Sequence, residues 1–126
     1  MKRDWLLIAG ALLCVAPAGA ARDAERGEQL HARCLACHAL AYDRVGPRHC
    51  GLFGRVAGSV PDFAYSIAMK NSKITWNDET LDRFLAAPRK MVPGTSMTYD
   101  GVADPRERAD LIAYLKRADG STECIQ

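Results

Sequence analysis

Cys34-Leu35-Ala36-Cys37-His38 restricts this chain more than any other stretch of it. Two thiols stand one helical turn apart and a histidine follows the second directly. That spacing suits two thioether bonds to the vinyl groups of one haem, with the imidazole held beneath the iron. Three other chemistries compete for the pentapeptide. A redox-active dithiol of the thioredoxin kind wants a βαβ setting, and no strand pattern surrounds these residues. Zinc wants further cysteine or histidine ligands at a second paired spacing, which the chain lacks. A plain disulfide leaves His38 without a role. The expectation is one covalently attached haem c, held by Cys34 and Cys37, with His38 as an iron ligand.

The start of the chain supports an oxidising compartment. Met1 to Ala20 reads as a secretory signal: Lys2 and Arg3 form a basic start, Trp5 to Ala16 an uncharged apolar run, and Ala18-Gly19-Ala20 a small-residue cleavage pattern. The apolar run falls short of the roughly 20 residues that span a bilayer, so no stable membrane insertion is expected. A lipoprotein cut before Cys14 is disfavoured by bulky Leu13. The expected organisation is a signal peptide over 1–20 and one domain over 21–126, delivered to a bacterial periplasm. Cys14 leaves with the signal, so Cys34, Cys37, Cys50 and Cys124 remain.

Composition narrows the function classes. A chain of 126 residues has room for one domain. A formal net charge of +2 with scattered Lys and Arg is too mild to point to nucleic acid. Charged residues at 25% and a mean hydropathy of −0.16 argue against disorder.

A low-spin electron-carrying iron needs a strong sixth ligand, and methionine is the usual choice where the potential is to be high. Met69, Met91 and Met97 are available. Met97 closes the run Met91-Val92-Pro93-Gly94-Thr95-Ser96-Met97, where Pro and Gly impose a tight non-helical path able to present a thioether rigidly. Met91 and Met69 are expected to fill core space. The iron ligands are thus expected to be His38 and Met97.

Several further stretches appear in a familiar order: Gly46-Pro47, Gly51-Leu52-Phe53-Gly54-Arg55, Ile74-Thr75-Trp76, Pro93-Gly94-Thr95 with Met97, and Leu111-Ile112-Ala113-Tyr114-Leu115. Together with Cys34 to His38, they make the chain resemble a class I cytochrome c of the mitochondrial and short bacterial periplasmic type. That resemblance implies Pro47 as the carbonyl partner of the proximal imidazole. It implies Arg55, Tyr65 and Trp76 as partners of the haem propionates, and Ser66 and Thr95 as further polar positions near the haem. Trp76 and Tyr65 as core aromatics, and Arg55 as a solvated charge, are the plainer alternatives. Where many relatives carry an asparagine and a tyrosine near the distal methionine, this chain has Met69 and Phe84, which removes two side-chain hydrogen-bonding groups. His49 replaces a usually apolar residue and is expected at the surface or partly packed; His31 is expected to face solvent. The resemblance also places Cys50 near the end of the last helix, so a disulfide with Cys124 is expected, against the alternative of two separate thiols.

The implied fold is all-α, with about three main helices and a short one wrapped around the covalently bound haem. The first helix is expected from about Asp23 to Cys37, opening acidic as the helix dipole favours. A second begins after Asn77 as N-cap and stops at Pro88, with Leu81, Phe84 and Leu85 on one face. The third has Asp104 as cap, Pro105 at its first position, a capping-box-like Glu107 and a terminating Gly120. The short helix runs from Tyr65 through Lys70. Gly27 and Tyr114 are expected where the first and last helices cross, and Leu52, Phe53, Leu85, Val92 and Tyr99 are expected to line the haem. Since a chain this short buries only a modest core, the haem-free chain is expected to be largely disordered.

The function expected is one-electron transfer by a monomer, not an enzymatic reaction, because two filled axial positions leave none for a substrate. A haem enzyme of the peroxidase kind, or a gas sensor with a labile sixth ligand, is the alternative. Partners expected are a quinol-oxidising complex and, on the other side, a terminal oxidase, a photosynthetic reaction centre or a periplasmic dehydrogenase. Arg89 and Lys90 match a basic pair that docks acidic partners in the family.

Overall fold

The computed structural model describes residues 22–125. The signal peptide expected over residues 1–20 lies outside the described residues. Among the described residues five α-helices follow one another: α1 Ala24–His31, α2 Ile67–Lys70, α3 Asp78–Ala86, α4 Pro88–Met91 and α5 Pro105–Asp119. A single turn of 3-10 helix, Ala32–Cys34, extends α1. Among the described residues the only β pairing is an isolated antiparallel bridge between Val56 and Thr75, so the fold is all-α.

Local chemistry accounts for most helix ends. The Asp23 carboxylate accepts from the Glu25 and Arg26 amides, both at 3.0 Å, and opens α1. Asn77 and Thr80 form a reciprocal capping box at 2.9 Å in each direction, starting α3. Asp104 accepts from the Arg106 amide at 2.7 Å and the Glu107 amide at 3.2 Å, with Pro105 at the first helical position. One expectation needs correcting, and two hold with added detail. The first helix ends at His31, not Cys37, because its continuation tightens to 3-10 geometry over Ala32–Cys34, which takes in the first thiol. Pro88 ends α3 and also opens α4, since its missing N–H costs nothing at a first helical position. Gly120 caps α5 at φ −90°, so it ends the helix without a left-handed turn.

Packing is dominated by the crossing of α1 and α5, with α3 laid against α5. Gly27 makes the crossing close: a Cβ there would lie 2.8 Å from the Tyr114 Cβ and would overlap the Asp110 carbonyl. Asp110, buried on α5, accepts from the Asp23 amide at 2.8 Å and pairs with the Arg26 guanidinium at 3.1 Å. A buried carboxylate with both partners satisfied latches the start of α1 to the middle of α5. The core gathers Leu52, Trp76, Leu81, Phe84, Leu85, Leu111, Ile112 and Leu115. Behind it, the Gly51 amide donates to the Asp119 carboxylate. Cys50 and Cys124 are joined as a disulfide with Cα atoms 5.1 Å apart, which ties the 48–52 segment to the end of α5.

Candidate functional site

The α1–α5 pair, α3 and the connecting loops do not fill all the space between them. They leave a cavity of about 500 Å³ at the centre of the core. Protein interiors are otherwise packed nearly as densely as organic crystals, so an apolar void of this size marks a place for something the polypeptide does not supply. Leu52, Trp76, Leu81, Phe84, Leu85, Leu111 and Leu115 form its apolar walls, and Cys34, Cys37, His38 and Met97 all reach it. Those two thiols are outside the disulfide; Cys37 is exposed and Cys34 half-buried, with burial pushing the Cys34 thiol up.

His38 is held from several directions. The turn that follows it folds back, the Gly46 amide donating to the Cys37 carbonyl at 2.7 Å. Its Nδ1 lies 2.7 Å from the Pro47 carbonyl. A carbonyl only accepts, so Nδ1 carries the proton and Nε2 keeps a free lone pair, the form in which an imidazole binds iron. Burial holds the His38 pKa below the ordinary histidine value, opposed by the Pro47 bond, and keeps the ring neutral. Gly46 is glycine for a steric reason. A Cβ there would stand 2.6 Å from both ring nitrogens of His38, inside the space the imidazole occupies.

Across the chain, α4 gives way to the loop that carries Met97. Gly94 turns it at φ +90°, the Thr95 amide bonds the Val92 carbonyl at 3.0 Å, and the Met97 amide donates to the Thr95 hydroxyl at 3.2 Å. Thr95 and Met97 both line the cavity, as does buried Met69. Phe84 packs its ring on Trp76, centroids 5.0 Å apart. The side of the cavity that carries Met69 and Phe84 is therefore built from hydrocarbon and thioether.

Arg55, Tyr65 and Trp76 also line the cavity. Arg55 spends two N–H groups on carbonyls, donating to Arg48 at 2.9 Å and Cys50 at 3.2 Å, and burial lowers its pKa. The Tyr65 hydroxyl accepts from the Val60 amide at 3.3 Å. Ser66 acts locally instead, its hydroxyl capping α2 by accepting from the Met69 amide at 3.1 Å. Arg89 and Lys90 are exposed on α4, and Arg89 pairs with Asp100 beside the cavity. Of the side chains expected to line the haem space, Leu52, Leu85 and Tyr99 do so. Val92 instead faces a separate cavity of about 480 Å³, and Phe53 lies beneath the Lys116 ammonium.

One residue contradicts its expected exposure, while a second, His49, is partly packed as expected. His31 is 3% exposed and faces the core. Gly27, Leu30 and His31 are the buried positions of α1, an i, i+3, i+4 stripe in which a histidine takes an apolar place. His49 lines the cavity too, with its ring stacked on His38. The stripe was present in the sequence, and only the polarity of histidine argued against it.

The residues fit a haem on the chemistry of their donors. Paired thiols, a neutral imidazole with Nε2 free and a thioether reach one apolar cavity. Comparison with known proteins agrees. The sequence profile of the family described as Cytochrome c matches residues 24–119. Cytochrome c2 of Blastochloris viridis is 49% identical over 112 residues, covering 85% of this chain and 87% of that protein. Cytochrome c of Chlamydomonas reinhardtii is 46% identical over 107 residues, covering 82% of this chain and 93% of that one. Among solved structures, cytochrome cH from Methylobacterium extorquens superposes with a TM-score of 0.73 at 44% identity, covering 75% of this chain and 98% of the other. A cavity at which two thiols, an imidazole and a thioether meet, and a profile that runs from the first helix to the last, lead to one result: the chain belongs to the cytochrome c family.

Proposed function

We propose that the chain is an exported one-electron carrier. In this reading the leader is removed near Ala20 and residues 21–126 form the domain. One haem c is joined through Cys34 and Cys37, with His38 and Met97 as iron ligands. The observation that carries the proposal is the meeting of these four side chains at one apolar cavity. When bound, the group supplies reversible one-electron chemistry between ferric and ferrous iron.

The chain's own residues set the conditions for that exchange. Pro47 fixes the His38 tautomer, and Thr95 braces the backbone at Met97. Leu85, Phe84 and Met69 exclude water, which keeps the surroundings from reorganising as the charge changes. Arg55, Tyr65 and Trp76 line the same cavity and would serve as partners for the haem carboxylates. Rigid donors and a dry wall would suit electron passage without bond making, and with His38 and Met97 both holding the iron no coordination site would be left for a substrate.

The partners proposed are a quinol-oxidising complex upstream and an oxidase, photosynthetic reaction centre or dehydrogenase downstream, met in the periplasm by a monomer. Docking falls to the exposed α4 edge. Lys90 is its more available cation, since Arg89 is partly neutralised by Asp100. Such contacts are small and weaken with salt. Absorption spectra of the oxidised and reduced protein test the proposal. They should show c-type haem that survives denaturation with the polypeptide, and the weak near-red band of iron–thioether bonding in the oxidised state. A colourless protein, or one whose iron takes up added cyanide at once, would overturn it.

A further inference from the structure

In the wall of the cavity, a line of three histidines joins α1 to the His38 imidazole. His31 Nε2 lies 3.0 Å from His49 Nδ1. The His49 ring stacks on the His38 ring, centroids 4.3 Å apart and planes 27° apart. His31 also meets the Tyr114 ring on α5, at 5.1 Å between centroids. Burial holds both outer imidazoles below the ordinary histidine range, so the pair is neutral and shares a single N–H between facing nitrogens.

An alkyl side chain at position 49 would fill the same space and touch His38, yet nothing would fix its direction. An imidazole is planar, and its terminal torsion is broad unless something restrains it. Here the bond to His31 supplies that restraint, and His31 is itself gripped between α1 and α5. The Pro47 carbonyl fixes where Nδ1 points. A stacked plane at fixed angle resists rotation of the whole ring about its Nε2 direction.

We propose that His49 is a positioning residue, anchored by His31, that sets the rotational setting of the His38 imidazole and through it the electronic anisotropy of the bound iron. This rests on the reading of His38 as an iron ligand. The orientation of the ligand plane becomes a property of the helix crossing rather than of the ligand loop alone.

The test is electron paramagnetic resonance of the oxidised, haem-loaded protein. His49→Leu, His49→Phe, His31→Phe and the His31→Phe/His49→Leu double variant are compared with the unsubstituted chain. His49→Leu should shift the outer g-values beyond the linewidth while the near-red band persists. His49→Phe, which keeps a stacked ring but loses the bond to His31, should shift them less. Because both histidines act on one chain of contacts, the double variant should match His49→Leu alone. Unchanged g-values in folded His49→Leu, or in His31→Phe should the leucine variant not fold, would overturn the proposal. A double variant showing the sum of two independent shifts would overturn the anchoring role of His31. Failure of the underlying ligand assignment is separately visible, as the absence of a low-spin signal from the unsubstituted protein.

Discussion

Replacing Gly27 with alanine would put a methyl group into the tightest contact between α1 and α5. The added Cβ would stand 2.6 Å from the Asp110 carbonyl carbon and 2.8 Å from the Tyr114 Cβ, where ordinary contact begins at 3.4 Å. Neither neighbour can swing away, because one is backbone and the other is the root of a buried ring. The Asp110 carbonyl oxygen, at 2.0 Å from that Cβ, is nearer still, so the helices must part by about 1 Å. Overpacking of this kind costs about 1–3 kcal/mol. Separation also stretches the bonds that Asp110 makes to the Asp23 amide and the Arg26 guanidinium, and weakening a buried charged hydrogen bond costs about 1.5–3 kcal/mol more. Alanine returns about 1 kcal/mol of helix propensity. The net loss is about 3 kcal/mol, which in a domain of this size lowers Tm by roughly 10–20 °C. Thermal unfolding of the haem-loaded protein, followed by circular dichroism, measures it. Exposed Gln29→Ala on the same helix serves as a control that should move stability by less than about 0.5 kcal/mol. If Gly27→Ala melts with or above the unsubstituted protein, the crossing is not limited by that contact and the reasoning is wrong.

Met97→Ala should abolish the near-red band and let the iron bind added imidazole; a retained band would move the sixth ligand elsewhere. Converting Cys50 and Cys124 to serine opens a link of sequence separation 74, worth about 4 kcal/mol in the chain-entropy model. Denaturant midpoints compared at equal haem loading measure the loss, and coincident midpoints would refute it. Asp78 bonds Lys116 at 2.7 Å and Arg22 at 3.2 Å, and the Lys116 bond is the main reason its pKa lies below the usual carboxylate value. A depressed carboxylate pKa adds stability above the unfolded pKa and loses it as pH falls through the folded one. Asp78→Asn should therefore cost about 0.5 kcal/mol at neutral pH, less in high salt, and nothing in strong acid. A penalty that grows on acidification would reverse that sign.

Much of the framework was readable from local chemistry. Asp23, Asn77 and Asp104 announce three helix starts because a side-chain oxygen must meet free amides there, whatever the rest of the chain does. The attachment pentapeptide and the Met97 loop announce the site because their chemistry tolerates little substitution. What escaped depended on tertiary surroundings. Pro88 reads equally well as a stop or a start, and only the break at Ala87 decides that it is both. Ser66 sits near the expected polar position yet satisfies a helix end instead. His31 reads as solvent-facing because an isolated buried histidine is costly. His49 removes that cost, a pairing across 18 positions that no local window contains.

The Asp110 latch also fixes an order of events during synthesis. The helix that leads into Cys34 and Cys37 is the first of the described helices to be made, and the helix that grips it is the last. Until residue 110 has been made, the start of α1 has no latch. Cys34 and Cys37 therefore lack their partner helix for nearly the whole of synthesis, and closure waits for the tail.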